Sequence, residues 1–112
     1  MHDVLQELTD IIEERLRSSD DQSSYVAKLG SAGLDKILEK VGEESIEVIL
    51  AAKHAEQFNN NEKLIHESAD LLFHTLVMLA SLGANINQVL DELATRFGTS
   101  GLEEKRLRRE QD

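Results

Sequence analysis

A chain of 112 residues with 40% hydrophobic and 30% charged side chains is long enough for one domain with its own core and too apolar to remain disordered. Its formal net charge of −10, from 12 Lys and Arg against 22 Asp and Glu, argues against the broad basic face by which most proteins bind nucleic acid. The absence of cysteine excludes disulfides, thiolate zinc sites and cysteine nucleophiles.

Aromatic residues make up only 4%, so a core has to be built from Leu, Ile, Val and Ala. Proline is absent, which long helices with short connections tolerate far better than strand-rich folds. The N-terminal stretch MHDVLQELTD is acidic and amphipathic rather than signal-like. The longest apolar run, Leu71 to Leu82, is too short to cross a membrane and is interrupted by His74. The expectation is one all-α domain over residues 1–112, cytoplasmic and without membrane or nucleic-acid partners.

In chain order, Val4, Leu5, Leu8, Ile11, Ile12 and Leu16 recur at helical spacing and predict a helix from Val4 to about Arg17 with one buried stripe. SSDDQSS, residues 18–24, reads as a loop. Tyr25 to Gly33 reads as a short ordered connector, with Gly30 and Gly33 available for unusual backbone angles. A long helix follows from about Leu34 to Phe58. Gly42 inside it costs roughly 1 kcal/mol relative to Ala, which a close approach of another helix or a ligand would explain. Asn61 is the expected cap of the next helix, from about Glu62 to Leu82, and Gly83 its stop. Asn85 caps a fourth helix to about Phe97, ended by Gly98. Residues 98–101 read as a loop, and the tail from 102 to 112 as a further turn or two of helix.

The fold class is therefore a bundle of about four helices. Leu71, Leu72, Phe73, Leu76, Val77, Met78, Leu79 and Leu82 cover nearly the whole circumference of their helix. A helix apolar all round must be covered all round, which four short helices barely achieve. A homodimer that completes the bundle is the expectation, against the simpler alternative of a central helix in a compact monomer.

Within the long helix, VGEESIEVILAAK sets Glu43, Glu44 and Glu47 into an apolar run. Glu44 and Glu47 are three residues apart and share a stripe, which Glu43 flanks. On the following helix Glu67 and Asp70 repeat the spacing, and His74 continues the line. Taken alone, an EExxE pattern is usually a solvated face. The second pair lies on a helix with little solvated face to give it. Joined by the short turn at 59–61, the two helices should pack antiparallel and bring Glu44, Glu47, Glu67 and Asp70 toward one another. Carboxylates so gathered repel unless protonated or bound to cations, and hard oxygen donors suit Mg²⁺, with Mn²⁺ as a substitute. A di-iron bundle would ask for Glu-x-x-His pairs, and the chain has none. His74 reads as a hydrogen-bonding core residue, and His54 and His66 as surface residues.

No nucleophile–base pair and no P-loop accompany the acidic motifs, which points to metal-assisted hydrolysis of a phosphate ester or anhydride. Basic partners for the phosphates would come from Lys28, Lys36, Lys40 and Lys53, and from Lys105, Arg106, Arg108 and Arg109 in the tail. By spacing alone each of these is an ordinary solvated side chain.

The segments SSYVAKL, GLDKILEKVGEESIEVILAAK, HESADLLFHTLVML and GTSGLEEKRLRR, in this order from Val4 to Arg109, resemble the phosphoribosyl-ATP pyrophosphohydrolase family of histidine biosynthesis. EExxE and ExxD by themselves mark only the wider MazG-like all-α superfamily, and the flanking segments narrow it. The resemblance implies Mg²⁺-dependent cleavage of the α–β phosphoanhydride of phosphoribosyl-ATP, giving phosphoribosyl-AMP and pyrophosphate, by a homodimeric helical bundle. It implies Glu44, Glu47, Glu67 and Asp70 as metal ligands, with Glu43 as an auxiliary ligand or the group that positions the attacking water. It implies Lys28, Lys40 and Lys53 as substrate-phosphate contacts, with Lys105 and Arg109 as further candidates. The cyclohydrolase of the next step would reside in a separate chain. Two other readings compete: a house-cleaning pyrophosphohydrolase of other nucleoside triphosphates, and a non-catalytic helical dimerisation module.

Overall fold

The computed structural model describes residues 3–18, 20, 22 and 24–97. They form five helices: α1 (Val4–Arg17), α2 (Tyr25–Ala32), α3 (Leu34–Phe58), α4 (Glu62–Ser81) and α5 (Ile86–Phe97), with no strand among the described residues. The all-α expectation holds, but the segment read as a connector is a helix of its own. Ser24 starts it by accepting a hydrogen bond from the Ala27 amide at 3.2 Å, a cap worth about 1 kcal/mol. Val26, Ala27 and Leu29 then bury its inner face. At its end Gly33 takes φ 100°, a backbone angle open to glycine, so α3 can begin at once.

α3 and α4 form the hairpin that dominates the fold, as their short connection requires. Asn59 closes α3 in the left-handed region at φ 52°. The side chain that serves the start of α4 is not that of Asn61. Asn60 Oδ1 accepts the Glu62 amide at 3.0 Å, while Asn61 holds the cap position without a side-chain bond. Three consecutive asparagines offer three similar short acceptors, and the chain reversal decides which one reaches the free amide. Gly83 ends the fourth helix at φ 79° as expected. Asn85 and Gln88 cap α5 reciprocally, each side-chain oxygen accepting the other's amide, at 3.2 and 3.0 Å.

The core gathers Ile12, Val26, Leu29, Ile37, Leu76, Val77 and Ile86 where α1, α2 and α5 pack on one end of the hairpin. It is thin for a chain of this length. The Cα radius of gyration is 17.9 Å, where a compact domain of 112 residues would have about 13 Å. Along the outer side of α3, Ile46, Ile49 and Leu50 are each about 60% exposed. Gly42 meets no close neighbour: a Cβ built there would have nothing within 4 Å, so no helix among the described residues accounts for it. No single helix among the described residues is long and apolar enough to cross a membrane.

Candidate active site

Where the middle of α3 faces α4, the apolar packing gives way to acid. Glu44 points toward α4 with only 13% of its side chain exposed. Burial, together with repulsion from Asp70 and Glu67, holds its carboxyl above the usual carboxylate range, and His74 partly offsets this. Three of the four expected metal ligands are therefore near enough to act on one another across the hairpin. The fourth, Glu47, lies on the same stripe one turn along α3, exposed, and forms no ion pair among the described residues. Glu43 is also exposed and pairs with Lys40 at 3.5 Å.

His66, Glu67 and Asp70 place ligand atoms within 4.8 Å of one another, and His66 Nε2 lies 3.4 Å from Asp70 Oδ2. His66 is on the surface, as expected, yet on the same face as the acidic pair. Its spacing of four residues from Asp70 carried that signal in the sequence.

His74 is 94% buried and makes two good hydrogen bonds. Its Nδ1 meets the Asp70 carbonyl at 3.0 Å, and its Nε2 meets the Tyr25 hydroxyl at 2.8 Å. The core role read from the sequence is what the structure shows. Glu44 Oε1 is 3.9 Å from Nδ1, too far for a hydrogen bond and close enough for electrostatic attraction. Sequence reasoning missed Tyr25, because its partner stands 49 residues away and no local pattern links the two.

The lysines divide. Lys40 borders the acidic cluster, its ammonium held above the usual range by the adjoining Tyr25 phenol once ionised and then by Glu43 and Glu44, against an opposing effect of burial. Lys28 is exposed one turn beyond Tyr25 on α2. Lys53 lies nine residues beyond Glu44, on the opposite face of α3 and about 13 Å along it, and pairs with Glu56 at 3.0 Å. The structure does not bring it to the acidic cluster of its own chain. Lys36 pairs with Glu39 at 3.6 Å on the first turns of α3. Lys105 and Arg109, with Gly98 and the rest of the tail, lie outside the described residues.

A partly buried glutamate thus lies near an ExxD pair across the α-hairpin. Residues 5–97 match the family model of phosphoribosyl-ATP pyrophosphohydrolase. The chain belongs to that family. The match takes in all five helices but for the first residue of α1. The protein is thus a hydrolase of phosphoric anhydrides, with phosphoribosyl-ATP as the family's substrate and histidine biosynthesis as its pathway. A non-catalytic helical module is set aside by that membership. So is the broader house-cleaning branch as a family assignment.

Proposed function

We propose that the chain hydrolyses the α–β phosphoanhydride of phosphoribosyl-ATP to phosphoribosyl-AMP and pyrophosphate, with Mg²⁺ or, in substitution, Mn²⁺, as a cytoplasmic homodimer. The observation that carries the metal is the crowding of Glu44 by Asp70 and Glu67. Hard oxygen donors that repel one another in a partly buried place suit a small divalent cation. Glu44, Glu67 and Asp70 would hold it, with Glu47 from the next turn of α3. Bound there, the cation supplies charge neutralisation for the phosphates.

The remaining work falls to the chain's own side chains. Lys40, beside Tyr25 and the acidic cluster, and Lys28, one turn beyond Tyr25 on α2, would bind phosphate oxygens and fix the substrate's register. Glu43, exposed beside Lys40, is the carboxylate to orient a water and receive its proton as the water adds to phosphorus and pyrophosphate departs. Water is the only co-reactant, and no redox change occurs. The cyclohydrolase step belongs to a separate chain.

The homodimer rests on the uncovered face of α3. Ile46, Ile49 and Leu50 follow one stripe that points away from Glu44, so pairing there leaves the acidic cluster open. Lys53 stands on that same stripe, so in the dimer it would lie at the interface, away from its own chain's acidic cluster.

The deciding measurement is pyrophosphate release from phosphoribosyl-ATP, with ATP in parallel, each with and without Mg²⁺. Release from phosphoribosyl-ATP alone and only with Mg²⁺ is the expected result. Equal release from both substrates would move the chain to a general triphosphate pyrophosphohydrolase, and metal-independent release would remove the cation from the site.

A further inference from the structure

We propose that Tyr25 and His74 are positioning residues which hold the Glu44 carboxylate in the orientation that a bound cation requires. The proposal rests on the magnesium reading above. The Asp70 carbonyl 3.0 Å from His74 Nδ1 can only accept a hydrogen bond, so Nδ1 carries the hydrogen. Glu44 Oε1 lies 3.9 Å from the same nitrogen, outside hydrogen-bond reach but near enough to feel the positive Nδ1–H side of the ring. The Tyr25 hydroxyl at 2.8 Å donates to the lone pair that this tautomer leaves on Nε2.

The opposite tautomer would turn the Nδ1 lone pair on both the Asp70 carbonyl and the Glu44 carboxylate, and would repel them. The Asp70 carbonyl fixes this tautomer, and the Tyr25 hydroxyl, by donating to the Nε2 lone pair that it leaves, reinforces it and anchors the ring beside Glu44. The ring is also held in plane: Tyr25 and Phe73 both meet it edge-on, at 87° and 89°, with centroids 5.7 and 5.3 Å away. Groups that hydrogen-bond or orient metal-binding side chains commonly change metal affinity by about 10–100-fold when removed.

The test is Mn²⁺ binding to the full chain, followed by electron paramagnetic resonance, together with thermal unfolding in the absence of metal. Tyr25→Phe keeps the half-exposed ring and removes only the hydroxyl. It is expected to weaken Mn²⁺ binding by about tenfold. His74→Asn keeps an N–H donor near the Nδ1 position and has no tautomer to choose. It should retain affinity within a few-fold of wild type, and adding Tyr25→Phe to it should then change nothing further. His74→Leu should bind as weakly as Tyr25→Phe or worse.

Wild-type affinity in Tyr25→Phe would overturn the proposal, whether or not its melting temperature fell, because a merely structural role moves stability alone. An equal Tyr25→Phe penalty in the His74→Asn background would overturn it too. If wild type and Glu44→Gln both fail to bind Mn²⁺, the magnesium reading itself has failed and the positioning role falls with it. That pattern is distinct from tight wild-type binding that Tyr25→Phe leaves intact.

Discussion

Glu44 and His74 meet across the α3–α4 hairpin with 3.9 Å between Oε1 and Nδ1, and this contact does not fully offset what crowds the glutamate from other sides. Burial and the two carboxylates of Asp70 and Glu67 outweigh it, so the folded protein holds the Glu44 proton more tightly than the unfolded chain does. The sign follows by linkage. Glu44's favourable contribution is fully present below its unfolded value and is lost as pH rises through the higher folded one. At neutral pH the ionised side chain is therefore a cost to the metal-free protein.

Glu44→Gln removes that cost. Without metal near pH 7 the variant is expected to unfold a few degrees above wild type, where about 1 kcal/mol corresponds to roughly 4–8 °C in a domain of this size. The same variant should lose the stabilisation that added Mg²⁺ gives wild type by mass action. Thermal scans with and without Mg²⁺ test both halves. A metal-free Glu44→Gln that melts lower than wild type would show that the contact to His74 outweighs burial and repulsion.

Cation affinity should be more acid-sensitive than an ordinary carboxylate site. Because Glu44 takes up its proton above the usual carboxylate range, binding weakens at a higher pH than at a site of unperturbed carboxylates. Mn²⁺ titrations between about pH 7 and pH 5 should show a steady loss of affinity. A binding constant unchanged over that interval is incompatible with Glu44 as a ligand.

Asp70→Asn leaves the Asp70 main-chain carbonyl in place for His74, so the variant should stay folded. It removes a charge from the cluster and is expected to reduce pyrophosphate release from phosphoribosyl-ATP by about 100-fold or more. Glu47→Gln should do the same with less effect on stability, since Glu47 is exposed. Circular dichroism establishes the fold, and full activity in both variants would dismantle the assigned ligand set.

Much of this was legible in the residues themselves. The bounds of α1 and α3 and the approach of Glu44 to Glu67 and Asp70 follow from apolar periodicity and from a connection too short for anything but a hairpin. α2 was not legible. YVAKLGSA carries glycine in a stretch of only eight residues, and its helicity comes from Ser24 and from packing on its neighbours. The Tyr25–His74 bond joins two elements through tertiary geometry alone. Gly42 still has no contact that explains it among the described residues. The circumferential apolar pattern of α4 led to the expectation of a second copy, while among the described residues a bare aliphatic stripe lies on α3.

That patch gives the last prediction. A stripe of large aliphatic side chains, each about 60% exposed and next to one another on a single helix face, is unfavourable in water and is the face on which the proposed dimer would form. If two copies pair through it, wild type should elute and scatter as a particle of twice 12.6 kDa. Ile49→Glu puts a charge at the centre of the stripe, where burial without a partner is costly, and should shift the population to single chains of 12.6 kDa. Ile49 and Glu44 lie on different faces of α3, so Mn²⁺ binding by the separated chain should persist if each acidic cluster is complete within one chain. Multi-angle light scattering at micromolar concentration reads the first outcome and Mn²⁺ titration the second. A monomeric wild type would leave the stripe unassigned, while loss of Mn²⁺ binding together with the dimer would mean that each site borrows a group from the other copy.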